Sequence, residues 1–183
     1  MKKGFIAFTY LLLCLMSFTT VNAQSKLKIV IIRHGEKQEN LENLNCAGLN
    51  RSLKLVNVLY KKIGVPDQIY IPSIGNGART THARMFQTIS PFASAHQISI
   101  NSKYNGADFD SIVKDLDKQQ GTVLFVWDHE NIAGLAKALG VKGKLSWSGS
   151  DFDSVWIISG KKKSRMLQKD REGIVPSKNC GAW

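Results

Sequence analysis

The chain has 183 residues, of which 43% are hydrophobic, 21% charged and 9% aromatic, the balance of an ordinary globular protein and not of a low-complexity disordered one. Its length suits one domain, at most two small ones. A formal charge of +11 favours anionic partners, without separating nucleic acid, a lipid surface or phosphorylated small molecules.

Lys2 and Lys3 precede an apolar run from Phe5 to Phe18, and Val21-Asn22-Ala23 offers compact side chains at a cleavage position. This is the layout of a secretory signal peptide, and the run is too short for a comfortable membrane span. Residues 1–23 are therefore expected to be removed, leaving a domain over 24–183 that is exported, periplasmic or secreted, with no stable membrane insertion. A lipoprotein signal at Cys14 is disfavoured, because Leu11-Leu12-Leu13 lacks the small residue that such processing needs; an uncleaved anchor is the remaining alternative. In an oxidising compartment Cys46 and Cys180 are expected to pair, the alternative being two unrelated buried thiols. Neither has a second cysteine or close histidine at ligand spacing, so no metal site is expected.

Leu27 to Ile32 is an apolar run interrupted only by Lys28, as in a central strand covered on both faces, and it ends in Arg33-His34-Gly35-Glu36. Leu49 to Ile63 places Leu53, Val56, Leu59, Tyr60 and Ile63 at helical spacing, stopped by Gly64 and Pro66. Gln68 to Ile71 reads as a short strand. Ala83 to Ala95 reads as a helix that Pro91 is expected to kink or restart. A strand at Ile98 to Ile100 and a helix over Phe109 to Leu116, capped by Asp108, follow. Thr122 to Trp127 is a second buried strand, ending in Asp128-His129-Glu130-Asn131. Ile132 to Leu139 reads as a helix, Phe152 to Ile158 as a strand, Gly160 to Lys163 as a solvated turn and Ser164 to Gln168 as an edge strand. Strands alternating with helices indicate an α/β fold with a mainly parallel sheet, whose ligands bind beyond the carboxyl ends of the strands.

That rule points at two histidines, His34 and His129, each delivered by a buried strand. Arg33 adds a cation, and Gly35 would let a ligand approach the backbone closely. Arg79, His82 and Arg84 follow the Ile71 strand. Guanidinium forks and imidazoles together suit a phosphate dianion, and a neutral imidazole is a competent nucleophile towards phosphorus.

The strand followed by Arg33-His34-Gly35-Glu36 resembles the signature of the histidine phosphatase superfamily, the phosphoglycerate-mutase-like proteins. The resemblance continues at Ser73, at Arg84-Met85-Phe86-Gln87-Thr88 and at Asp128-His129-Glu130. It implies a three-layer α/β/α sandwich and a metal-independent, cofactor-free phosphoryl transfer. His34 would carry a phosphohistidine, while Arg33, Arg84 and His129 hold the phosphoryl oxygens and a carboxylic acid serves the leaving oxygen. Arg84 is preferred over Arg79, because Thr88 follows it at the right spacing. Glu130 is preferred as the acid, with Asp128, Asp108 and Asp110 as alternatives. Glu36 is expected to shape the phosphate loop or bind at its rim, and His82 to line the pocket mouth or face water.

The expected partner is a phosphorylated small molecule or phosphoprotein, and not nucleic acid, since no interleaving of aromatic and basic residues accompanies Lys161-Lys162-Lys163. Trp127 and Trp156 read as core and His96 as a helix cap. Two further readings stay open. One is an envelope protein that binds phospho-ligands but turns over weakly; the other uses its positive charge on anionic polymers or lipid head groups.

Overall fold

A computed structural model describes residues 26–75 and 77–181; the expected signal peptide, residues 1–23, lies outside them. Six strands, β1 (Lys28–Arg33), β2 (Gln68–Tyr70), β3 (Ile100–Asn101), β4 (Thr122–Trp127), β5 (Ser154–Ser159) and β6 (Met166–Arg171), form one sheet in the order β3-β2-β4-β1-β5-β6. β1 to β4 run parallel to one another, while β5, antiparallel to β1, and β6, antiparallel to β5, complete the other edge. β1 and β4 lie at the centre, which is why their sequences are apolar without alternation.

Among the described residues, four α-helices cover the two faces: α1 (Cys46–Ile63), α2 (Ala83–Ala95), α3 (Phe109–Leu116) and α4 (His129–Ala138). Leu55, Leu59, Met85, Ile89 and Phe92 of α1 and α2 pack on Val30, Ile32, Leu124 and Val126. Ile112, Leu116, Ile132 and Leu135 of α3 and α4 pack on Ile29, Ile31, Phe125 and Trp127. The expected α/β/α sandwich is the fold observed, and alternate residues of each central strand feed alternate layers.

Several boundaries differ from the sequence reading. α1 starts one turn early, because the Asn45 side chain accepts the Gly48 N–H at 3.0 Å and caps it. Its inner face is also rotated: Leu53 and Tyr60 are exposed, and the buried stripe runs through Ala47, Gly48, Ser52, Leu55 and Leu59. α2 runs unbroken past Pro91, held by Ile89, Phe92 and Ala93, which are buried on either side of the proline. α4 begins at His129 instead of Ile132, because Asp128 caps it by accepting the Asn131 N–H at 2.9 Å. β3 is displaced to Ile100–Asn101, and β5 and β6 start two residues later than read, at Ser154 and Met166.

After β6 the chain returns to α1. Cys180 is bonded to Cys46 at a sequence separation of 134 residues, a closure that stabilises by roughly 5 kcal/mol in the chain-entropy account. Asn50 Nδ2 donates to the carbonyls of Ser177 and Asn179, both at 2.9 Å. Beneath this tail, buried Arg51 joins three segments. It donates to both Glu36 carboxylate oxygens, at 3.0 and 2.8 Å, and to Glu172 at 2.5 Å. Removing it would strand a buried carboxylate. Arg51→Ala is expected to cost about 3–5 kcal/mol in urea unfolding; a loss below about 1 kcal/mol, the level of an exposed pair, would contradict a buried bridge.

Candidate active site

The register of the two central strands sets the site. Arg33 lies opposite Trp127, and the His34 N–H donates to the Trp127 carbonyl at 3.0 Å. The chain therefore leaves the sheet at His34 and at Asp128-His129 side by side, at the carboxyl edge.

His34 is 1% exposed. Its Nδ1–H donates to the Gly35 carbonyl at 2.7 Å, and its Nε2 accepts from Arg84 Nε at 3.1 Å. Both bonds require the same neutral tautomer, with the proton on Nδ1 and the lone pair on Nε2. Burial pushes the imidazole down to about 3, opposed by the bond to Gly35 and reinforced by Arg84, Arg33 and His129.

Arg33 is equally enclosed. Its Nη1 donates to the carbonyls of Gly149 at 2.7 Å and Asp151 at 3.1 Å, and its guanidinium lies 3.8 Å from the centre of the Phe152 ring. Burial lowers it to about 10, so it stays charged at neutral pH. Phe152 also meets the His34 ring edge-on, with centroids 6.1 Å apart. The loop carrying it is fixed by Asp151, whose carboxylate accepts the Asp153 and Ser154 N–H groups, both at 3.0 Å, and the Ser154 hydroxyl at 2.6 Å.

His129 opens α4 and is half-buried; burial, then Arg33, lowers its pKa. A side chain at Gly149 would come within 3.3 Å of His129 Nε2, so the glycine keeps that imidazole accessible. Arg84 sits in the first turn of α2, which Thr88 docks onto the loop: its hydroxyl accepts the Gly35 N–H at 2.8 Å and donates to the Arg84 carbonyl at 2.6 Å. That explains the four-residue spacing between Arg84 and Thr88. His82, just before α2, has φ 53° and ψ 21°, left-handed geometry that is costly for a side-chain-bearing residue. Its Nδ1–H donates to Ser73 O at 2.7 Å, and a side chain at Gly106 would come within 3.9 Å of its Nε2 and within 3.8 Å of Asp128 Oδ2.

With that geometry in view, known structures offer a comparison. A candidate phosphohistidine phosphatase SixA from Agrobacterium tumefaciens is 15% identical, with a TM-score of 0.54 over 81% of this chain and 98% of that one. A mycobacterial glucosyl-3-phosphoglycerate phosphatase, solved with inorganic phosphate, is 16% identical with a TM-score of 0.52 over 78% and 95%. The protein histidine phosphatase SixA, solved with tungstate, is 13% identical with a TM-score of 0.54 over 79% and 97%. The chain has the phosphoglycerate-mutase-like fold of the histidine phosphatases. No protein-family model and no curated protein sequence matches it.

Of the residues expected at a histidine phosphatase site, His34, Arg33, Arg84 and His129 come together. Gly35 also serves helix packing: a side chain at 35 would meet Gly48 of α1 at 3.0 Å. Glu36 engages Arg51 and not the pocket. Arg79 is exposed, with no hydrogen bond to a described residue, and Glu130 is exposed in the first turn of α4. Asp128 is spent on its cap, and Asp108 accepts the Ser111 N–H in capping α3.

Four contributors escaped the sequence reading: Gly48, Arg51, Phe152 and Glu42. The first lies in the small-residue start of α1, where a Cβ at Gly48 would fall 2.1 Å from the Glu36 carbonyl. Among the described residues, no three His, Cys, Asp or Glu side chains are grouped so as to hold a metal ion.

Because the folded His34 resists protonation while an unfolded one takes a proton near 6.5, stability is lost as pH falls from about 6.5 towards 3. NMR titration of the ring protons is expected to show His34 neutral down to pH ~4. A His34 titration near 6.5 would contradict the buried, neutral assignment.

Proposed function

We propose that this protein is a histidine-type phosphatase that hydrolyses a phosphomonoester or a phosphorylated side chain through a phosphohistidine on His34. The observation that carries the reading is a buried imidazole held neutral by its Nδ1 bond, with Nε2 directed to Arg84 and with Arg33 and His129 beside it. The Nε2 lone pair attacks phosphorus, the N–P bond forms and the leaving oxygen departs with a proton. The ring becomes cationic, and the Gly35 carbonyl on Nδ1–H stabilises that charge. Arg33, Arg84 and the His129 N–H hold the equatorial oxygens, supplying in a metal-independent reaction the charge that a metal supplies in other phosphoryl transfers. Water then attacks phosphorus, the N–P bond breaks and neutral His34 returns.

The described carboxyl edge carries no covering domain, which suits a bulky or varied phosphorylated substrate. The structurally similar proteins named for phosphohistidine and for glucosyl-3-phosphoglycerate bracket that range. Export remains part of the proposal, supported by the basic-apolar-small order of residues 1–23 and by a disulfide of the kind oxidising compartments preserve.

The mature protein is expected to hydrolyse p-nitrophenyl phosphate in the presence of EDTA, with His34→Ala slower by at least ~10³-fold. Absence of turnover in both, with phosphate still raising the wild-type melting temperature, would replace the enzyme by a phospho-ligand-binding protein.

A further inference from the structure

Proton delivery to the leaving oxygen needs a carboxyl group in direct contact with the groups around His34. Asp128 and Asp108 cap helices, Glu36 is tied to Arg51, and Asp151 binds Ser154. Neither Asp110 nor Glu130 hydrogen-bonds His34, Arg33, Arg84 or His129 among the described residues. Glu42 is different. Its Oε2 accepts from Arg84 Nη1 at 2.5 Å and from the His82 N–H at 3.0 Å. The same guanidinium donates its Nε–H to the nucleophilic Nε2 of His34, so Arg84 holds nucleophile and carboxylate side by side.

The position of Glu42 is fixed. Gln38 N donates to the Asn43 carbonyl at 3.0 Å, closing the loop on itself. Gln87 of α2 pins the segment just beyond it: its Nε2 donates to Asn43 Oδ1 at 3.0 Å, and its Oε1 accepts the Leu44 N–H at 2.9 Å. The Glu42 side chain itself is 45% exposed, within reach of a bound substrate and of solvent protons.

We propose that Glu42 is the catalytic proton donor and acceptor of this site. The assignment rests on the phosphatase reading and moves the acid from α4 to the loop after β1. In the resting protein the Glu42 carboxylate occupies donors, Arg84 Nη1 and the His82 N–H, that suit a phosphoryl oxygen. An arriving phosphate dianion takes them over. Beside that dianion an ionised carboxylate is disfavoured, and Glu42 takes up a proton from solvent. As Nε2 bonds to phosphorus and the P–O bond breaks, Glu42 gives this proton to the leaving oxygen. In the second half its carboxylate removes a proton from the attacking water while the N–P bond breaks. The sum is phosphomonoester plus water giving alcohol plus inorganic phosphate.

The test compares kcat/KM for n-butyl phosphate, whose alkoxide must be protonated to leave, with p-nitrophenyl phosphate, whose phenolate leaves unaided. Glu42→Gln is expected to lower the first by ~10²-fold or more and the second by less than ~5-fold. Glu42→Asp, which keeps a carboxyl group, should recover part of the alkyl rate, a rescue that a merely structural role would not give. Equal losses on both substrates in a Glu42→Gln protein of wild-type melting temperature would overturn the proposal. So would the leaving-group effect appearing in Glu130→Gln instead. A wild type no faster than His34→Ala on both substrates would overturn the phosphatase reading itself, and the donor with it.

Discussion

The pairing of β1 with β4 is the constraint on which the site depends. With Arg33 facing Trp127 across a parallel ladder, the next residue of each strand emerges at one edge, and the His34 N–H closes the last rung on the Trp127 carbonyl. A slip by one residue would turn Arg33 and His34 into each other's places and reverse which apolar side chains enter each helix layer. The two layers hold that register from both sides, Val30 and Ile32 among α1 and α2, Ile29 and Ile31 among α3 and α4. Core packing and active-site geometry are the same requirement here.

Around that edge the fold gathers cations and then keeps the imidazoles uncharged. Arg33 is buried, charged and pinned by carbonyls of the 148–151 segment and by Phe152. Its field and that of Arg84 make protonation of His34 and His129 unfavourable, adding to the cost of burial. A neutral imidazole is thereby kept among cationic side chains. Among the described residues, Glu42 is the carboxylate hydrogen-bonded to Arg84, and it partly offsets the positive charge there.

How much of this was legible followed from the range of the forces involved. β1 and β4 were readable because strands buried on both faces leave continuous apolar runs, and the polar residues ending them named His34 and His129. The Asp108 cap was readable for the same local reason. The start of α1 was not, since its inner face there is Ala47, Gly48 and Ser52, small residues chosen to approach the Gly35-Glu36 backbone and invisible to hydrophobic periodicity. Asp128 read as the end of a strand when it is a helix cap, because residues flanking a strand end carry no local sign of which element claims them. Arg51 joins segments 121 residues apart at Glu172, and Glu42 meets Arg84 only through a loop whose path Gln87 sets. Such pairings exist only once the chain has folded.

The central claim is that phosphorus passes through a bond to His34 Nε2. Mixing the protein with radiolabelled aryl phosphate, quenching within milliseconds under alkaline conditions and mapping the labelled peptide tests it most directly. The account predicts label that is stable in alkali, lost in acid and confined to the peptide containing His34. Label on the peptide containing His129, or steady turnover with no labelled protein at any quench time, would contradict it.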